Sequence, residues 1–153
     1  MIASGKLVTP SDIAWALCVG ADFAVSARGF MFALGCIQAL QCNRDTCPTG
    51  ITTHNPRLQQ GLDPASKAER VSHYVRNTIR EVEVIAHSCG VHEPRALERF
   101  HARVVASHGQ SVSLDSFYPS LQEIHQGRDV HRPDASRARS FRGATATGGE
   151  SDL

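Results

Sequence analysis

The sequence predicts an α/β fold assembled from βα units on a parallel sheet, and three observations carry that prediction. Strand, helix, strand and helix follow one another between Ile2 and Gln41, the order that right-handed parallel crossovers produce. The first helix, read from Pro10 to Val19, is apolar on almost every side at Ile13, Ala14, Trp15, Ala16 and Leu17. A helix of that kind packs against a sheet on one face and other helices on the next. Only two strands of this type are found, whereas a closed barrel takes eight units and about 250 residues. The expectation is a longer chain entered near its end.

The elements follow from local signals. A short apolar stub, Ile2 to Ser4, leads into Gly5. Thr9 is the N-cap, Pro10 the first helical residue and Asp12 the closing member of a capping box, with Gly20 as the C-terminal cap. Residues 22–26, DFAVS, read as a buried strand. Ala27, Arg28 and Gly29 read as a turn ahead of a helical run from Phe30 to Gln41. Residues 55–63 are expected to form a loop. Asp63 and Pro64 start a long helix whose apolar stripe is Val71, Val75, Thr78, Val82, Ile85 and Cys89. Pro94 is expected to open another helix, with Leu97, Phe100, Val104 and Val105 as its stripe. From Gln126 onward Arg, Ser, Ala, Gly and Thr dominate, and too few large apolar residues remain to offset the entropy of ordering. Residues 126–153 are therefore expected to be a disordered tail.

A net charge of +1 provides no long-range field toward nucleic acid or an anionic membrane. No apolar run is long enough to cross a bilayer, and the start lacks the basic and apolar regions of a signal peptide. The reading is a cytoplasmic protein with no nucleic-acid and no membrane partner.

Chemistry concentrates in CIQALQCNRDTCPTG, residues 36–50, which holds three of the five cysteines. A tight thiol cluster in a reducing compartment points to metal or iron–sulfur ligation rather than to disulfides. Cys36, Cys42 and Cys47 supply three thiolates, enough for a three-iron cluster. A zinc site of Cys3His type with His54 is the competing reading, although the spacing lacks the paired knuckles of structural zinc. Cys18 and Cys89 read as small buried hydrophobes. The scattered histidines His73, His87, His92, His101 and His108 have no partner in the sequence pattern that would make them catalytic.

The stretch SARGFMFALGCIQALQCNRDTCPTGITTHNPRLQQGLDP resembles the C-terminal part of the FMN-containing synthase domain of glutamate synthases. The preceding IASGKLVTPSDIAWALCVGADF resembles the seventh strand and helix of the same (β/α)8 barrel. The resemblance spans residues 1–118, with 36–50 as the cysteine segment and 119–153 as linker and tail. It implies a C-terminal fragment of a TIM barrel, carrying strands seven and eight and their helices. It further implies that Cys36, Cys42 and Cys47 ligate a 3Fe-4S cluster. In flavin-binding barrels of this type the phosphate lies at the C-terminal ends of strands seven and eight. Ser4, Gly5 and Lys6 after the first strand, and Ala27, Arg28 and Gly29 after the second, are thereby assigned to the FMN phosphate. Gly5 and Gly29 would admit close backbone approach and Arg28 a forked positive charge. Lys6 departs from the family, which has a second glycine there.

The family chemistry starts with glutamine hydrolysis in an N-terminal amidotransferase domain, which delivers ammonia to the barrel. There 2-iminoglutarate, formed from 2-oxoglutarate, accepts a hydride from reduced FMN, and the cluster relays electrons to the flavin. The pattern TCPTGITTH resembles stand-alone relatives without the amidotransferase domain. The implied protein is part of a glutamate synthase-like oxidoreductase that needs the N-terminal barrel portion or a partner chain, and an electron-donor protein. The alternatives are a small zinc- or iron–sulfur-binding electron-transfer or assembly module without flavin, and a functionless remnant.

Overall fold

The structure is a computed structural model, and it describes residues 1–105 and 109–118. The chain forms two compact units, Met1–Glu98 and Arg99–Leu153. The expected tail lies outside the described residues, as does His108.

In the first unit, β1 (Ile2–Ser4) and β2 (Phe23–Val25) pair in parallel, with Ile2 opposite Phe23, Ala3 opposite Ala24 and Ser4 opposite Val25. Between them runs α1 (Pro10–Val19). Thr9 caps it: its hydroxyl accepts the Asp12 N–H at 3.2 Å, and the Asp12 carboxylate accepts the Thr9 N–H at 2.9 Å. Gly20, at φ +111°, closes the helix by donating its N–H to the carbonyls of the last turn. Both ends match the sequence expectation because each is set by residues that touch one another locally.

The next helix, α2, spans Ala27–Leu34 and departs from expectation at both ends. Ala27, Arg28 and Gly29 are its first turn, not a turn ahead of it. It stops well short of Gln41 because Gly35 takes φ +101° and its N–H closes on Met31 and Phe32. Gln38 and Leu40, both at φ +56°, are then incompatible with a continuing helix. A further helix, α3 (Pro56–Gln59), occupies part of the expected loop, its Asn55 cap accepting the Arg57 N–H at 3.0 Å.

The longest helix, α4 (Pro64–Ser88), begins with Asp63 accepting the Ser66 N–H at 3.1 Å. It packs against both α1 and α2. Val82 and Ala86 are buried and Val71, Tyr74, Val75, Thr78, Ile85 and Cys89 are half-buried, so the expected stripe is the packed face, with Tyr74 added to it.

This packing covers one face of the parallel pair. Ala3 and Ala24 are half-buried, whereas Ile2, Phe23 and Val25 on the other face are 67%, 58% and 45% exposed. Among the described residues no further strand joins either edge of the pair. Two-stranded parallel sheets of this kind are normally covered on both faces.

In the second unit the expected helix is replaced. A 3-10 turn at Pro94–Ala96 closes the first unit, and another at Arg99–His101 precedes a hairpin. That hairpin pairs β3 (Arg103–Val105) with β4 (Ser111–Ser113) antiparallel, Val104 opposite Val112. β-branched Val104, Val105 and Val112 suit extended backbone. The Arg103 side chain ties the strands by donating to the Ser111 hydroxyl at 2.8 Å and carbonyl at 2.7 Å. A short helix, α5 (Leu114–Phe117), follows with Leu114 buried.

Candidate functional site

Parallel pairing puts the C-terminal ends of β1 and β2, and the segments that follow them, at the same edge of the sheet. After β1 the backbone turns through Gly5 at φ +118° and Lys6 at φ +59°. No atom lies within 4 Å of the Cβ that Gly5 lacks, so the backbone conformation and not crowding requires glycine there. Lys6 adopts the left-handed conformation that glycine takes at no steric cost. Its ammonium stands at an exposed position.

After β2 the chain enters α2 directly through Ser26. Ser26 stands at the N-cap, yet its hydroxyl accepts no N–H from the first turn. Arg28 is exposed in that turn. Gly29 is buried for a reason the sequence did not disclose. A Cβ there would lie 1.9 Å from the Tyr74 hydroxyl oxygen and 2.4 Å from the Ser26 Oγ. The space at Gly29 is therefore taken by Tyr74, and the residue has only its backbone N–H to offer an anion. Tyr74 reaches in from α4, donates to the Val8 carbonyl at 2.9 Å and bonds the Ser26 hydroxyl at 2.7 Å. Its ring meets Phe30 edge-on at 5.6 Å. The available signal was a hydroxyl-bearing aromatic on an otherwise aliphatic helix face, since a buried Tyr hydroxyl seeks a partner.

A phosphate group fits this edge. Free N–H groups at a helix N-terminus attract anions, and open space at Gly5 with two cationic side chains, Lys6 and Arg28, adds to that.

The cysteine segment leaves α2 at once. Cys36 is half-buried and donates its N–H to the Met31 carbonyl at 2.9 Å; Cys42 is exposed and Cys47 half-buried. All five cysteines are free thiols. The second half of the loop is tightly knit. Buried Thr53 donates to the Asp45 carbonyl at 2.6 Å, Asp45 accepts the His54 N–H at 2.5 Å, and Gln59 donates to the Thr53 carbonyl at 2.9 Å. Gly50, at φ +78°, lies so close to α3 that a Cβ would meet the Leu58 carbonyl oxygen at 2.4 Å.

The Cys47 sulfur lies 3.3 Å from the Thr49 hydroxyl. Hydrogen bonds from that hydroxyl and from the Thr52 backbone bring the thiol down to about 6, so it is largely thiolate at neutral pH. The donor set thus has the soft thiolate chemistry that an iron–sulfur cluster or zinc requires. The loop carries the three thiols without gathering them: among the described residues no three His, Cys, Asp or Glu side chains are grouped to hold a metal ion, His54 included.

Cys18 lies apart from this chemistry. Burial first, and then the neighbouring Cys89, push its thiol up, so it stays protonated as a small apolar side chain. His73, His87 and His92 are exposed on or beside α4, and His101 stacks at 3.9 Å on Phe100. Among the described residues no helix is long and apolar enough to cross a membrane.

Comparison with known proteins identifies the family of this sequence. Residues 1–92 match the family model described as the conserved region in glutamate synthase. That span takes in both βα units, the cysteine loop and α4. The chain is 40% identical over 126 residues to the glutamate synthase large subunit-like protein YerD of Bacillus subtilis, a match covering 82% of this chain and 23% of the relative. It is 31% identical over 97 residues to the archaeal glutamate synthase (NADPH) of Methanocaldococcus jannaschii, covering 63% of this chain and 19% of the relative. The chain thus spans about a quarter or less of the length of these relatives. No solved structure matches it. With more than half of its length inside that conserved region, the chain belongs to the glutamate synthase family.

Proposed function

We propose that this chain is the C-terminal, cofactor-holding segment of a glutamate synthase-like FMN and iron–sulfur oxidoreductase. In this reading β1 and β2 are the seventh and eighth strands of a (β/α)8 barrel. The observation that carries it is the parallel register, which brings the Gly5–Lys6 turn and the first turn of α2, with Arg28 and Gly29, to one sheet edge ahead of the cysteine loop. Ser4, Gly5, Lys6, Ala27, Arg28 and Gly29 bind the FMN phosphate, through backbone N–H groups and the Lys6 and Arg28 charges. Cys36, Cys42 and Cys47 hold a 3Fe-4S cluster.

When bound, the flavin supplies hydride chemistry toward 2-iminoglutarate, made from 2-oxoglutarate and ammonia, and the cluster supplies a path for electrons. The residues of this chain fix where those groups sit. The apolar face of Ile2, Phe23 and Val25 and the two open strand edges support a need for the remaining barrel units, from the same protein or a partner chain. The segment is inactive without them. An electron-donor protein completes the system, and five free thiols suit a reducing, cytoplasmic setting.

The test joins this chain to the preceding part of the Bacillus subtilis relative and analyses bound flavin and iron. Arg28→Ala is expected to lower flavin retention and leave iron unchanged. Cys42→Ser is expected to remove iron and sulfide together, while Cys18→Ser keeps both. Equal losses from Cys42→Ser and Cys18→Ser would sink the ligand assignment.

A further inference from the structure

An N-cap serine normally turns its oxygen onto the N–H of the second or third helical residue. Ser26 does not: its backbone stands at φ −107°, ψ 56°, outside the extended region usual for an N-cap, and its Oγ is held 2.7 Å from the Tyr74 hydroxyl. The Tyr74 hydroxyl has one proton, and it is donated to the Val8 carbonyl, which can only accept. The 2.7 Å contact between Tyr74 and Ser26 must then use the Ser26 proton, donated to the Tyr74 oxygen. Tyr74 thus holds the serine in the orientation in which it caps nothing. The residue that permits this is Gly29, since any Cβ there would occupy the position of the Tyr74 hydroxyl.

We infer that Tyr74 is a positioning residue for the phosphate site: by holding the Ser26 hydroxyl where it accepts no N–H of the first turn of α2, it keeps the N–H groups of that turn available to an anion. The inference rests on the phosphate reading above and deepens it. Tyr74 itself touches no phosphate. Removing its hydroxyl releases Ser26 to cap its own helix and compete with the anion for the same N–H groups.

The experiment titrates inorganic phosphate, and separately FMN, into the 15N-labelled chain and follows the backbone amides of Ala27, Arg28 and Gly29. Tyr74→Phe keeps the ring and should weaken phosphate binding about fivefold, the scale of a typical serine cap. Adding Ser26→Ala to Tyr74→Phe should restore binding, because the competing oxygen is gone. A purely structural role for Tyr74 would not be rescued in this way, so an unrescued loss overturns the inference. Unchanged affinity in Tyr74→Phe, alongside weaker binding in Arg28→Ala, would overturn it and leave the phosphate reading intact. If phosphate and FMN move none of these amides in the unaltered chain, the phosphate reading and the inference fall together. Ser26→Ala alone keeps Tyr74 and its packing; a fall in its affinity would mean that Ser26 donates to the phosphate and would overturn the inference without relying on the Tyr74 variant.

Discussion

Gly29→Ala is the most informative single substitution for the packing described above. The added Cβ would start 1.9 Å from the Tyr74 hydroxyl oxygen and 2.6 Å from the ring carbon bearing it. Tyr74 has little room to yield, with its ring against Phe30 and its hydroxyl bonded to Val8 and Ser26. Losing those two hydrogen bonds costs about 0.5–1.5 kcal/mol each. Overpacking strain adds about 1–3 kcal/mol. Against this, alanine gains about 0.5–1 kcal/mol over glycine within a helix. The net expectation is a destabilisation of about 1–5 kcal/mol, read as a lower midpoint in urea with an unchanged slope. In a Tyr74→Ala, Ser26→Ala background the same substitution should cost nothing, because both groups that its Cβ would meet have been removed, and the helix propensity gain should appear instead. A neutral or stabilising Gly29→Ala in the unaltered chain would refute the reasoning.

Thr9→Ala should lower stability by about 1 kcal/mol, the usual loss for a removed N-cap, measured by the same urea titration. The Asp12 carboxyl is held below its ordinary value, first by the Thr9 backbone N–H and then by the Thr9 hydroxyl. Its contribution is complete above about pH 4, the range in which an unfolded aspartate is ionised, and is lost as pH falls through the lower folded value. Asp12→Asn should therefore show a shallower loss of stability on acidification than the unaltered chain. In the metal-free chain, alkylation of Cys47 should rise with a midpoint at about pH 6, and Thr49→Val should move that midpoint upward. Gly50→Ala combines φ +78° with a Cβ 2.4 Å from the Leu58 carbonyl oxygen, and should loosen the loop–α3 junction enough to speed proteolysis there.

The elements that were legible in the sequence are those set by residues close in the chain. Thr9, Pro10, Asp12 and Gly20 touch only their own helix, and α1 begins and ends where they place it. The end of α2 was obscured because the apolar CIQAL continues the helical rhythm past Gly35, and the left-handed turns at Gln38 and Leu40 leave no mark in hydrophobicity. Asn55 and Pro56 carried a capping signal for α3 that a reading of the segment as loop passed over. Val104 and Val105 fitted a helical stripe by spacing, but the partner that makes them a strand, Val112, is supplied by a later segment. At the site the Gly5–Lys6 turn and the cysteine segment were readable as motifs, whereas Ala27, Arg28 and Gly29, read as a turn, form the first turn of α2. The role of Gly29 was not, because the group that fills its space arrives from Tyr74, 45 positions later, through tertiary packing.

Anaerobic reconstitution of the 153-residue chain with ferrous iron and sulfide, followed by metal and acid-labile sulfide analysis, tests the cofactor assignment most directly. The account predicts iron and sulfide in the proportion of a 3Fe-4S cluster, abolished by Cys42→Ser and retained by Cys18→Ser. Zinc bound without sulfide, or a cluster indifferent to Cys42, would contradict it.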